Sequence, residues 1–146
     1  MSDFGKLLTA VITPFDNNGV LNTDTLWRLC KKLVHEKSDG LVLSGTTGES
    51  PNLTKEDRKI IYSTAIDSVG DKAKIIAGTG TYSTKESIEY TKMANDIGVD
   101  GIMIVTPYYS KPSQFGILKH FEEISKSTDL PICLLYTSPS PRDLST

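Results

Sequence analysis

Three short segments carry side chains suited to chemistry, and each follows an apolar run. Residues 44–50 read Ser-Gly-Thr-Thr-Gly-Glu-Ser. Gly45 and Gly48 let the backbone turn sharply and come close to a ligand. Thr46 and Thr47 add two hydroxyls beside backbone N–H groups, a set that can cradle a carboxylate without a competing cation. The same residues also suit a tight turn between strand and helix. No Gly-Lys-Ser/Thr follows, which excludes a phosphate-binding P-loop. Residues 106–112 read Thr-Pro-Tyr-Tyr-Ser-Lys-Pro. Two prolines stiffen this loop, and a phenol hydrogen-bonded to another hydroxyl can relay a proton between bound groups. Its ordinary pKa near ~10 makes it a weak base unless the site tunes it. An adjacent tyrosine pair also suits a subunit contact. Residues 78–83 read Gly-Thr-Gly-Thr-Tyr-Ser; a dinucleotide fingerprint needs a third glycine where Ser83 stands.

Other candidates are weaker. His35 and His120 fall within expected helices without a partner at metal-ligand spacing, so both are read as surface or half-buried structural residues and no metal site is expected. Cys30 and Cys133 match no ligand spacing. They are expected as unpaired thiols in a reducing compartment, with the cytoplasm as the location.

The elements that must position these loops alternate regularly. Residues 7–15 are apolar and β-branched, end near Pro14 and read as a buried strand. Residues 22–37 follow with helical spacing: Leu26, Leu29, Cys30, Leu33 and Val34 share one face, and Thr23 is the expected N-cap. Residues 40–43 form a second strand. Thr54 with Asp57 resembles a capping box opening a helix whose inner face is Ile60, Ile61, Thr64, Ala65 and Val69. Residues 73–77 and 101–105 are the third and fourth strands. Helices are expected over 84–97, with Ile88, Ala94 and Ile97 inward, and over 113–127, with Phe115, Leu118, Phe121 and Ile124 inward. Pro131 begins a fifth strand. Strands recur about every 30 residues, the size of a βαβ unit, and are apolar throughout, as in a parallel sheet covered on both faces. This pattern admits a (β/α)₈ barrel or a doubly wound open sheet, and in both the strands' carboxyl ends carry function.

Composition sets outer bounds. The chain has 146 residues, 38% hydrophobic and 23% charged, with a net charge of −2. That gives no electrostatic case for nucleic acid or an anionic membrane. No apolar run approaches the ~20 residues of a membrane span, and the N-terminus lacks the features of a signal peptide. Residues 133–146 hold two prolines and a serine/threonine excess without helical period, and resemble translated adapter sequence. They are expected as a tail foreign to the rest, artefactual or disordered.

TAVITPF (residues 9–15), GTTGES (45–50), IAGTG (76–80) and VTPYYSKP (105–112) occur in this order at the ends of the first four strands. Together they closely resemble the dihydrodipicolinate synthase / N-acetylneuraminate lyase family, over residues 1–132. The resemblance implies a (β/α)₈ TIM barrel, present here as its first four to five β/α units, the N-terminal half of a class I aldolase. It implies an imine between pyruvate and a lysine on the sixth strand. In the synthase branch, condensation with aspartate semialdehyde then gives 4-hydroxy-tetrahydrodipicolinate, in lysine and diaminopimelate biosynthesis. By position, Thr47 resembles the threonine that binds the pyruvate carboxylate, and Thr46 and Tyr109 resemble members of a proton relay. Tyr109 also resembles the tyrosine that family dimers insert across their tight interface, which Tyr108 lines. The parent enzyme is expected to be a homo-oligomer, dimer or tetramer, with no cofactor. Gly-Thr-Thr followed by Thr-Pro-Tyr-Tyr favours the synthase; N-acetylneuraminate lyase, a keto-deoxy sugar acid aldolase, or a non-catalytic half-barrel binding small carboxylates are the alternatives.

Three departures from the family pattern stand out. The strand-five tyrosine falls at Leu135 here; Tyr136 is one residue late and Arg142 later still, and a one-residue slip on a strand faces the other way. No lysine in the chain suits imine formation, so the fragment alone is expected to be inactive. Lys55, Arg58 and Tyr82 stand where lysine-regulated members have two histidines and an asparagine, which predicts weak inhibition by lysine.

Overall fold

The computed structural model describes residues 4–135. Along it run β1 (Leu8–Ala10), α1 (Thr23–His35), β2 (Gly40–Leu43), a 3-10 turn (Ser50–Asn52) and α2 (Lys55–Val69). β3 (Lys74–Gly78), α3 (Thr84–Ile97), β4 (Gly101–Val105), α4 (Gln114–Ser125) and β5 (Ile132–Leu135) follow. All five strands are parallel and lie in the order β1-β2-β3-β4-β5. A doubly wound sheet reverses its order at a switch point. This order never reverses, and the sheet curls into a partial barrel. Tyr136, Arg142 and the remainder of residues 136–146 lie outside the described residues. Residues 133–135, read from sequence as part of a foreign tail, belong to β5 and pair with β4.

Strand alternation gives the sheet two distinct faces. Leu41, Leu43, Ile75, Ala77, Ile102 and Ile104 join the core under the helices. Val42, Ile76, Met103 and Val105 alternate with them and face the barrel interior. α1 packs on α2, α2 on α3 and α3 on α4, forming the outer layer. Burying such apolar side chains contributes roughly 1.5–3 kcal/mol each, which is what holds helices to sheet.

Several boundaries differ from the sequence expectation for local reasons. The first strand is three residues long, not nine: Val11 makes one further sheet bond to Val42, and the chain then leaves the sheet toward Pro14, which has no N–H to donate. The cap of α1 is Asn22, whose side chain accepts from the Thr25 N–H, rather than Thr23. The capping box of Thr54 and Asp57 forms as expected. α4 begins after Ser113, its N-cap, and its buried residues are His120 and Ile124. Phe115 and Leu118, expected inward, are 68% and 62% exposed. The buried face is set by what α3 presents: Thr84 Oγ1 meets His120 Nδ1 at 2.9 Å, turning the helix away from the face that Phe115 and Leu118 would share.

At the strands' amino ends, Asp39 accepts from the Lys6 and Leu7 N–H groups at 2.7 and 2.8 Å. Asp100 accepts from Ile75 N–H and pairs with Lys74 at 2.7 Å. These carboxylates tie down the end opposite the candidate site. Among the described residues no helix is long and apolar enough to cross a membrane, and both cysteines are free.

Candidate functional site

The carboxyl ends of β2, β3, β4 and β5 bound a cavity of about 300 Å³. Its wall comes from Ser44, Gly45, Thr46, Ser50 and Pro51 after β2, and from Gly78 and Gly80 at the end of β3. Met103 and Val105 of β4, Tyr108 of the following loop, and Leu135 of β5 complete it. The lining is mainly apolar, with Ser44, Thr46, Ser50 and Tyr108 contributed by the loops, suited to a small ligand.

The structure brings together some of the residues singled out from sequence. Thr46 and Tyr108 both line the cavity. Thr47, the next residue, is exposed and is not part of the cavity wall within this chain. Tyr109 is 97% exposed and also lies off the wall. Its backbone sits at φ +67°, the left-handed region that a bulky residue rarely occupies without a compensating contact. Tyr108 rests edge-on against Tyr82, with ring centroids 5.6 Å apart. Burial raises the Tyr108 phenol above its ordinary pKa, with Glu86 and Tyr82 acting in the same direction and Arg58 opposing them. At neutral pH this phenol stays protonated and can donate a hydrogen bond. Leu135, the position at which a strand-five tyrosine is expected from sequence, lines the cavity without a polar group.

The loops take this shape because the chain can approach itself closely. A Cβ on Gly78 would lie 2.6 Å from the Ser44 carbonyl oxygen, and one on Gly80 would lie 2.5 Å from the Val105 nitrogen. The glycines of the 78–83 segment thus bring β3 against the β2 loop and β4, and Ser83 caps α3 through the Glu86 N–H. That gives this segment a packing role in place of the nucleotide fingerprint considered above. In the first loop, Ser44 and Glu49 take left-handed backbone, at φ +55° and +56°. The Gly48 carbonyl accepts from the buried Thr13 hydroxyl at 2.7 Å, so the residue that follows β1 fixes the loop after β2.

Thr13, Arg58 and Tyr62 were missed as contributors. Tyr62, fully buried, donates to the Gly78 carbonyl at 3.2 Å. Burial holds its phenol above the ordinary pKa, while Arg58 and Ser44 pull it down. Arg58 is 1% exposed. A signal for it existed: Arg58, Ile61, Tyr62, Ala65 and Val69 occupy one helical stripe, and an arginine on a buried stripe must find internal acceptors.

Comparison with known proteins places the chain. The model of the Dihydrodipicolinate synthetase family matches residues 3–145. The chain is 50% identical over 137 residues to the 4-hydroxy-tetrahydrodipicolinate synthase of Desulforudis audaxviator, covering 94% of this chain and 46% of that protein. Among solved structures it is similar to a dihydrodipicolinate synthase of Bacillus anthracis, with a TM-score of 0.89 at 44% identity, covering 92% of this chain and 46% of that one. The chloride-inhibited dihydrodipicolinate synthase of Acinetobacter baumannii complexed with pyruvate gives a TM-score of 0.89 at 35% identity, over 94% of this chain and 47% of that one. The chain thus spans about half the length of the relatives it matches. Sequential parallel strands, a cavity at their carboxyl ends and a family match over nearly every residue lead to one conclusion: this chain belongs to the dihydrodipicolinate synthetase family.

Proposed function

We propose that the whole protein, of which this chain forms about half, condenses pyruvate with aspartate semialdehyde to give 4-hydroxy-tetrahydrodipicolinate. In this reading a lysine beyond the chain's span attacks the pyruvate keto carbon and expels water as an imine. Loss of a methyl proton gives an enamine whose carbon adds to the aldehyde; the semialdehyde's amine then attacks the regenerated imine carbon, closing the ring and releasing the lysine. No lysine lines the cavity among the described residues, so the chain alone holds the binding and proton-handling groups without the nucleophile. Thr47 binds the carboxylate through its hydroxyl and adjacent N–H groups. Thr46 and Tyr109 move the proton to and from the developing alkoxide. No metal or organic cofactor is needed for this sequence of steps, because the imine itself acts as the electron sink.

The observation that carries the reading is the cavity's position and lining: a Thr46 hydroxyl and a Tyr108 ring at the strands' carboxyl ends, beside a glycine-shaped loop. Tyr109 supports a further part of it. A phenol 97% exposed on left-handed backbone suits a group that completes the site of a second copy, so the working form is a homo-oligomer. The relatives' names and the pyruvate in the Acinetobacter structure favour the same substrates. The location that fits this biosynthetic role is the cytoplasm.

The test is a substrate comparison with the full-length protein. Pyruvate-dependent consumption of aspartate semialdehyde is expected, with no cleavage of N-acetylneuraminate or of keto-deoxy sugar acids. Cleavage of either sugar acid without turnover of the semialdehyde would contradict the proposal. Inhibition by lysine is expected to be weak, because Lys55 and Arg58 add positive charge where a cationic ligand would sit; micromolar inhibition would refute this part.

A further inference from the structure

Arg58 is among the largest fully buried side chains of the chain, and none of the ion pairs among the described residues includes it. An unpaired buried cation is costly unless hydrogen bonds replace its hydration. Three such bonds are present. Its guanidinium donates to the Gly78 carbonyl at 2.9 Å, to the Ser50 carbonyl at 2.8 Å and to the Ser50 hydroxyl at 2.7 Å. Its flat face lies 4.4 Å from the centre of the Tyr90 ring, which holds it from the α3 side. The acceptors come from two different elements. Ser50 closes the 44–50 segment after β2, Gly78 is the last residue of β3, and both line the cavity.

We propose that Arg58 is a positioning residue: from α2 it clamps the loop after β2 to the carboxyl end of β3, so that the cavity keeps the shape its ligand needs. Its link to ligand affinity rests on the reading that the cavity is the keto-acid site; the clamp itself does not. The planar guanidinium reaches the loop and the strand end at once because its N–H groups diverge in one plane. A lysine ammonium can bond only part of this set. Tyr62 donates to the same Gly78 carbonyl, so Arg58 and Tyr62 share one end of the clamp and Arg58 alone holds the other.

The experiment is amide exchange on this chain and its R58K, R58M and Y62F variants, read at Gly48, Ser50, Thr79 and Gly80, all of which donate within or beside the two loops. Ile75 and Ile102, toward the strands' amino ends and away from the clamp, are the reference. R58M is expected to speed exchange of the loop amides by at least about tenfold, the weight of a single lost charge-assisted bond, with the reference amides unchanged. R58K should recover part of the protection, and binding of ¹³C-pyruvate should weaken in the same order. Y62F alone should leave Ser50 protected, while R58K with Y62F should lose more than the sum of the two. Loop protection in R58M equal to the parent, or a loss spread evenly over loops and reference amides, would overturn the proposal. If R58M does not fold, strict additivity in the R58K and Y62F pair would overturn it instead. A full-length protein that shows the clamp by exchange but binds no pyruvate would defeat the keto-acid reading and leave the clamp standing.

Discussion

Thr46 and Thr47 are neighbours in the chain, yet only Thr46 reaches the cavity wall in this structure. The difference bears on how the two should respond to substitution. In the full-length protein, T47V is expected to raise the KM for pyruvate about tenfold, the loss of roughly one charged hydrogen bond. T46V and Y109F should instead lower kcat with a smaller change in KM; steady-state kinetics separate the two patterns. At this scale the sequence was informative about residue types and poor about direction. It singled out the threonines and tyrosines, but nothing in the Tyr-Tyr pair says that Tyr108 turns to the cavity and Tyr109 to solvent. That choice comes from left-handed backbone at Tyr109, fixed by the loop as a whole. His120 shows the same limit. It was read as a surface or half-buried residue, and it is buried, with its Nε2 lacking a hydrogen-bond partner. Burial lowers its pKa below the ordinary value. As pH falls below ~6.5, the unfolded chain takes up the proton while the folded chain resists, so stability declines in that range. Urea midpoints at pH 7.5 and 5.5 should differ in the parent chain, and H120Q should flatten that difference.

Among the elements, legibility followed the strength of local chemistry. The Thr54 and Asp57 capping box was readable because both partners of the reciprocal bond lie within one turn. T54A should cost about 1 kcal/mol in urea unfolding, with the helix register unchanged. β2, β4 and α3 were placed correctly or nearly so by apolar runs and helical period. The failures lie where tertiary contacts overrule the pattern. Phe115 and Leu118 keep perfect helical spacing with Phe121 and Ile124, but α4 docks through His120, Phe121 and Ile124. Gly78 belongs to a different class again: its need for a bare Cα is invisible without the Ser44 carbonyl opposite. G78A is expected to destabilise by about 1–3 kcal/mol, because backbone cannot yield to a Cβ at 2.6 Å as a flexible side chain would. Circular dichroism melts of G78A beside G19A give the comparison, since nothing lies near a Cβ at Gly19 and its cost should come from positive φ alone.

For the molecule as a whole, five parallel strands leave β1 and β5 each with one unpaired side among the described residues. Leu134 and Leu135 are 43% and 40% exposed on the outer strand, and Phe115 and Leu118 of the preceding helix are also exposed. Open parallel edges with apolar flanks invite association. This chain is therefore expected to self-associate or aggregate, and sedimentation across a concentration series checks it; a clean monomer with a cooperative melt would contradict that expectation. The fold class itself was only half legible. Alternating strands and helices left barrel and open sheet equally allowed; the resemblance of the four motifs chose the barrel, and the unreversed strand order bears that choice out. The chemical account depends on where the imine forms. Borohydride reduction in the presence of pyruvate, followed by mass mapping, tests it most directly. A pyruvate adduct on a lysine of the full-length protein, outside the segment this chain spans, is the predicted result. An adduct on a lysine of this chain alone, or none on the full-length protein, would contradict it.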